Sequence, residues 1–291
     1  MLHPTPAPPV QLVECPRDAM QGWKEFIPTE KKAAYINALL QVGFDTIDFG
    51  SFVSPRAIPQ MSDTKEVLQR LERTGTRSKL LAIVANRRGA EAALAFEEID
   101  VLGFPFSLSP TFQQRNTNST MEESLGRVAE IQELCLQKNR QLVVYLSMGF
   151  GNPYGDAYHP GILLHWAGEM VRRGITIISL ADTVGLATPE QVGEAVAALV
   201  PQYPGTTIGV HLHAAPLNRR AKLEAAFAAG CRRFDGALKG IGGCPMADDE
   251  LVGNMATEVM VDFFSVKGVL PPLDFAALQN SGSIAAEIFG L

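Results

Sequence analysis

The sequence is poor in the features that mark several common classes of protein. Basic residues are not in excess: 25 lysines and arginines stand against 31 acidic residues, a formal net charge of −6. A general nucleic-acid binder carries a basic face, so that class is disfavoured. A small anionic ligand is not, because a few local arginines override a weak global charge. The four cysteines, Cys15, Cys135, Cys231 and Cys244, form no CxxC pair and show no regular spacing. That argues against a disulfide scaffold and fits reduced thiols, with a cytoplasmic location as the expectation. No run of about 18 apolar residues occurs, so no membrane span is expected. The stretch MLHPTPAPPV is proline-rich and lacks the apolar or arginine-rich pattern of a targeting peptide. Histidine is scarce as well, with five in 291 residues.

Apolar residues, at 46%, are sufficient for a large core. They recur in short β-rich runs at 10–15, 45–51, 79–85, 100–107, 141–148, 175–182, 207–213 and 233–238. Between them lie segments of helical periodicity at 29–42, 63–73, 87–97, 119–138, 160–173, 188–200 and 217–229, with another at 251–264 after the last run. DTKE (63–66), STME (119–122) and TPEQ (188–191) each put a capping residue three before Glu or Gln, and Gly43, Gly174 and Gly230 sit at helix ends. Continuously apolar strands alternating with helices mean a parallel sheet covered by helices. Eight alternations predict an α/β fold closed as a (β/α)8 TIM barrel, one domain over residues 1–291. An extended leader at 1–9 and a C-terminal helical extension at 265–291, with an extra helix at 272–289, complete it. In such barrels the chemistry sits on the loops after the strands.

The strand ends collect Glu14, Arg17, Asp18 and Gln21 from the first strand, Asp48 and Ser51 from the second, Asp182 from the sixth, and His211 and His213 from the seventh. The loop KGIGGCPMADDELVGN after the eighth adds Cys244 and Asn254. In TIGVHLHAAP, His211 and His213 stand two residues apart, which puts both imidazoles on one face of a strand. Two imidazoles joined by a carboxylate such as Asp18 make a divalent-metal site with room for water and substrate oxygens. The alternative is a pair of hydrogen-bonded core histidines. Arg17 beside Asp18 is either a surface ion pair or, at a barrel mouth, a group that stabilises an oxyanion. Cys244 is either a small buried hydrophobe or, in its glycine-rich loop, an acid or base. Cys15, Cys135 and Cys231 read as buried. GFGNPYGDAYHP (149–160) is a lid or a surface excursion.

PRDAMQ, SFVSPRAIPQMSDTKEV, NTNSTMEES, ISLADTVGLATPEQV, VHLH and GIGGCPMA…GNMATE occur in this order from about residue 10 to about 270. Together they resemble 3-hydroxy-3-methylglutaryl-CoA lyase, of the DRE-TIM metallolyases, which are TIM barrels. The resemblance implies that Asp18, His211, His213 and Asn254 hold Mg²⁺ or Mn²⁺. It implies that Arg17 steadies an enolate and a thioester carbonyl, and that Cys244, Asp48 and Asp182 are catalytic. Gln21 and Ser51 would line the substrate site. The substrate would be an acyl-CoA and the assembly a homodimer, with no nucleic-acid or membrane partner. The reaction implied is carbon–carbon cleavage of 3-hydroxy-3-methylglutaryl-CoA, or a close 3-alkyl analogue, to acetyl-CoA and a ketoacid. Asp48 stands where the family has the longer Glu, and Ala214-Ala215-Pro216 follows the second histidine where the family has Asp or Asn. Two other activities are weighed beside this one: a DRE-TIM aldolase or condensing enzyme on 2-oxo acids, and a catalytically silent acyl-CoA-binding paralogue.

Overall fold

The computed structural model describes residues 8–243 and 252–291. Most of the expected leader and Cys244 therefore lie outside the described residues. Eight strands close into a barrel in chain order: β1 (Gln11–Glu14), β2 (Thr46–Ser51), β3 (Lys79–Ile83), β4 (Val101–Ser107), β5 (Gln141–Ser147), β6 (Ile177–Asp182), β7 (Thr207–Leu212) and β8 (Arg233–Gly236). Every neighbouring pair is parallel, and β8 closes on β1 through Gln11↔Arg233 and Glu14↔Gly236. Each strand lies within the apolar run expected for it. The helices are α1 (Pro16–Gln21), α2 (Thr29–Leu40), α3 (Thr64–Leu68), α4 (Arg87–Ala93), α5 (Pro110–Thr117), α6 (Met121–Gln137), α7 (Pro160–Arg172), α8 (Pro189–Leu199), α9 (Arg219–Ala228), α10 (Thr257–Val266) and α11 (Phe275–Phe289).

Local chemistry explains the boundaries. Thr188 and Gln191 form the expected reciprocal cap of α8, with Pro189 at its first position. The cap of α6 is one residue later than STME suggests: Thr120 pairs with Glu123, because the Ser119 hydroxyl is taken up with Gln113 and Thr117. Asp63 caps nothing; its carboxylate accepts from Lys32 Nζ at 2.6 Å and Thr29 Oγ1 at 2.8 Å. Two short helices are additional to the expectation. Both α1 and α5 begin with proline at the first turn, and Ser109 Oγ accepts from Phe112 N to cap α5.

The main apolar core lies between barrel and helices, and Cys15, Cys135 and Cys231 are wholly buried as expected. A second, smaller cluster of Leu81, Ile83, Val101, Val143 and Tyr145 belongs to β3, β4 and β5. On the opposite side, β1, β2, β7 and β8 or the residues just after them bury Asp18, Asp48, His211, His213, Arg233 and Asp235. The charged half is where the chemistry gathers. Among the described residues, no helix is long and apolar enough to cross a membrane.

Candidate active site

Arg17 and Asp18 sit on α1, the short turn that β1 feeds, and both are buried. The guanidinium lies against Asp48 of β2, with Nε 3.1 and 3.2 Å from its two oxygens and Nη2 2.5 Å from Oδ2. Nη1 donates to Asp18 Oδ1 at 3.1 Å and Gln21 Oε1 at 2.8 Å. Arginine has five N–H donors. Among the described residues, these bonds engage four of them and leave one on Nη2. Burial works against the charge, but Asp48 and Asp18 outweigh it and bind the proton more firmly. Arg17 is therefore a fixed cation held in one orientation.

Asp18 joins the two halves of the site. Its Oδ1 accepts from Gln21 Nε2 at 2.6 Å and its Oδ2 from Asn254 Nδ2 at 2.7 Å. Burial alone would raise its pKa, yet Arg17 and the two imidazoles pull it down to about 2. His211 Nε2 and His213 Nε2 lie 4.0 and 3.9 Å from Asp18 Oδ2, and 3.3 Å from each other. Burial, reinforced by His211, lowers His213 to about 4, so its imidazole is neutral at physiological pH. With His213 neutral, the 3.3 Å approach of the two Nε2 atoms requires a proton or a cation between them. Ligand atoms around a small divalent ion with bonds of about 2.1 Å are about 3 Å apart. The imidazole pair is near that spacing and Asp18 Oδ2 stands nearly 1 Å wider of each, so the three convergent donors form a group that a divalent metal ion would draw together.

A residue not singled out in the sequence supports this centre. Asp235 Oδ2 lies 3.4 Å from His211 Nδ1, and Asp235 Oδ1 accepts from Arg233 Nη1 at 2.7 Å. Burial lowers the affinity of His211 for a proton, but Asp235 and Asp18 reverse this and raise it. His211 Nδ1 and Asp235 Oδ2 do not form a hydrogen bond at this approach; if closed, that bond would orient the imidazole for a metal and increase its basicity. The signal was present in RFDGAL, where two opposite charges alternate within an apolar strand.

The remaining site residues divide. Asn254 Nδ2 also donates to Ile241 O at 2.8 Å, which fixes the amide and leaves Oδ1 as the atom able to take a cation. Residues 252–256 do not begin the helix expected from 251. They run beside β7: His213 bridges Asn254, Ala214 N donates to Gly253 O, and Met255 N donates to Leu212 O. At the other end of the glycine loop, Gly242 has φ +102°. A Cβ there would lie 2.6 Å from Asn254 Nδ2 and 2.8 Å from Asp18 O. The loop needs glycine because its backbone packs directly on Asp18 and Asn254. Ser51 is buried, and its Oγ accepts from Val53 N at 3.2 Å. Asp182 is set apart from the ligand group: its carboxylate accepts from Lys222 Nζ at 2.7 Å and Ala187 N at 3.2 Å. Its neighbours Ala181 and Thr183 face the cavity instead. That cavity, about 160 Å³, has Arg17, Asp18, His211 and His213 on one side, and Val53, Ile58, Ile83, Pro105, Phe112 and Tyr145 among its apolar walls.

The chain is similar to known proteins in sequence and fold. The HMGL-like family model matches residues 10–284. The cytoplasmic 3-hydroxy-3-methylglutaryl-CoA lyase of Rattus norvegicus is 31% identical over 280 residues, 96% of this chain and 80% of the relative. A 3-hydroxy-3-isohexenylglutaryl-CoA/hydroxymethylglutaryl-CoA lyase of Pseudomonas aeruginosa is also 31% identical, over 97% of this chain and 93% of its own. Among solved structures, an HMG-CoA lyase from Acinetobacter baumannii in complex with coenzyme A and 3-methylmalate superposes with a TM-score of 0.89. It is 31% identical and covers 97% of this chain and 91% of that one. The HMG-CoA lyase of Brucella melitensis also gives 0.89, at 29% identity over 97% and 99% of the two chains. The chain belongs to the HMGL-like family of TIM-barrel enzymes and is a carbon–carbon lyase.

Proposed function

We propose that the protein cleaves 3-hydroxy-3-methylglutaryl-CoA, or a close 3-alkyl analogue, to acetyl-CoA and the matching ketoacid, with Mg²⁺ or Mn²⁺ bound. The observation that carries this is the convergence of Asp18, His211 and His213 beside the Arg17 Nη2 N–H that has no acceptor among the described residues, at the C-terminal face of the barrel. Asp18, His211, His213 and Asn254 would hold the ion. Bound there, a divalent cation binds substrate oxygens and lowers the pKa of the tertiary hydroxyl.

The chain's own groups supply the rest. A base takes the hydroxyl proton, the O–H electron pair forms the ketone of the ketoacid, the bond from the hydroxyl-bearing carbon to the carbon next to the thioester breaks, and its electron pair passes into a thioester enolate. Arg17 faces that enolate as a cation already oriented by Asp48, so little reorganisation accompanies charge development. Asp48 acts through Arg17, and Gln21 holds both Arg17 and Asp18. Cys244 is the proposed donor of the proton that converts the enolate carbon to the acetyl methyl group. The apolar walls favour a second reading of the substrate, a 3-alkyl group longer than methyl, in line with the name of the Pseudomonas aeruginosa relative. Action in the cytoplasm is part of the proposal, supported by the name of the rat relative.

The test is turnover of purified protein with Mg²⁺ and 3-hydroxy-3-methylglutaryl-CoA, reading released acetoacetate beside an EDTA-treated sample. Acetoacetate that disappears with EDTA supports the reaction and its metal. Activity only on a longer 3-alkyl thioester moves the substrate to the second reading. No cleavage of either thioester by the metal-loaded protein refutes the proposal.

A further inference from the structure

The turn that follows His213 has no side chain of its own to hold it. Ala214 and Ala215 carry only methyl groups, and Pro216 has no N–H. The last ladder pair between β6 and β7 is Asp182↔Leu212, so the His213 carbonyl lies one residue beyond the sheet on that side. It is nevertheless bonded. Lys222 Nζ donates to His213 O at 2.9 Å, to Asp182 Oδ2 at 2.7 Å and to Gly185 O at 3.3 Å. An ammonium has three hydrogens, and these three acceptors use them all. One turn earlier on the same helix, Arg219 Nε donates to Ala214 O at 3.2 Å. Two cationic side chains of α9 therefore reach back to two successive carbonyls of the ligand turn.

Lys222 is in an unfavourable place for a lysine. It lies in the first turns of α9, where the helix dipole disfavours a cation, and it is 1% exposed. A buried ion pair is replaceable by a packed apolar pair without loss of stability, so its presence is better explained by geometry than by folding energy. Its acceptors lie on the end of β6, the turn after β6 and the end of β7. That turn touches the glycine loop: a Cβ on Gly185 (φ +72°) would meet Val252 at 2.9 Å.

We infer that Lys222 is a positioning residue, which holds the backbone of His213 so that its imidazole stays aimed at the metal, and that Asp182 serves it as counter-charge. This rests on the metal site of the proposed function. Lys222 would act where the strand ladder stops, replacing the missing partner of the His213 carbonyl.

Two variants test it. Lys222→Met removes all three bonds and leaves Asp182 buried without its cation. Lys222→Met/Asp182→Asn also removes that charge, so it retains a fold if the single variant does not. Mn²⁺ binding is read by loss of the free-ion EPR signal, and amide exchange over residues 211–216 is read in metal-free protein. The expected result is a double variant that melts near the wild type, binds Mn²⁺ at least tenfold more weakly and exchanges the His213–Ala215 amides at least tenfold faster. A double variant that binds Mn²⁺ within twofold of the wild type overturns the inference, because the lysine then only neutralises Asp182. If the wild type itself binds no Mn²⁺, the metal reading falls and exchange decides: faster exchange upholds the hold on the turn, and unchanged exchange overturns it.

Discussion

Raising the pH from 6 to 9 is expected to weaken the folded state through one carboxyl group, that of Glu14. This side chain is wholly buried at the end of β1. It accepts a bond from Leu238 N at 2.8 Å and another from the hydroxyl of Thr257. Burial is the dominant influence, and it pushes the pKa from 4.5 to about 8 against the lowering effect of both bonds. Between those two values the folded chain keeps a proton that the unfolded chain has released. Stability from this group is therefore fully present below about 4.5 and lost as the pH passes 8. With those two pKa values, the loss between pH 6 and pH 9 is about 3 kcal/mol. An unfolding entropy of about 2 cal/mol/K per residue over 291 residues turns this into a fall of about 4 °C in Tm. Glu14→Gln keeps an acceptor for Leu238 and a donor for Thr257 but cannot titrate. Thermal melts of both proteins at pH 6, 7, 8 and 9 read the effect as a difference, which cancels every other titrating group. The expected difference grows in favour of the variant by about 4 °C across the series. Parallel curves would refute the reasoning and show that Glu14 is already ionised at pH 6.

Three further outcomes are expected. His213→Ala should abolish Mn²⁺ binding while far-ultraviolet circular dichroism stays that of the barrel; retained metal in the purified variant would remove His213 from the ligand set. Asp235→Asn should weaken Mn²⁺ binding about 10- to 100-fold by titration calorimetry, the usual cost of losing an outer partner of a ligand; affinity unchanged within twofold would show that the 3.4 Å approach to His211 does not matter. Gly242→Ala should displace Asn254 from Asp18 and lower kcat and metal affinity together, since its Cβ would enter both residues' space; a fully active variant would mean that the loop relaxes elsewhere.

The barrel was legible because each strand of a parallel barrel is a short apolar run set off by helix caps, a pattern local to ten or fifteen residues. The histidine pair was legible for the same reason: a spacing of two on a strand fixes a shared face. Contacts made across the chain were less visible. Asp182 sits at a strand end like His211, yet the alternation that puts Ala181 and Thr183 on the cavity turns it away, toward a lysine 40 residues later. Asp63 looked like a cap, and its carboxylate is claimed by Lys32, which no local pattern announces. Asp235 was the reverse case. Its alternation with Arg233 was readable, and only the fold shows that an imidazole stands behind it.

The two anchored ends of the glycine loop bear on how such a site can change. Gly242 is pressed against Asp18 and Asn254 on one side, and Gly253 to Met255 are stitched to β7 on the other. Both anchored ends touch Asp18 or Asn254, two of the residues proposed to hold the ion. On the proposed reading, a change at either anchored end would move an ion-holding residue directly.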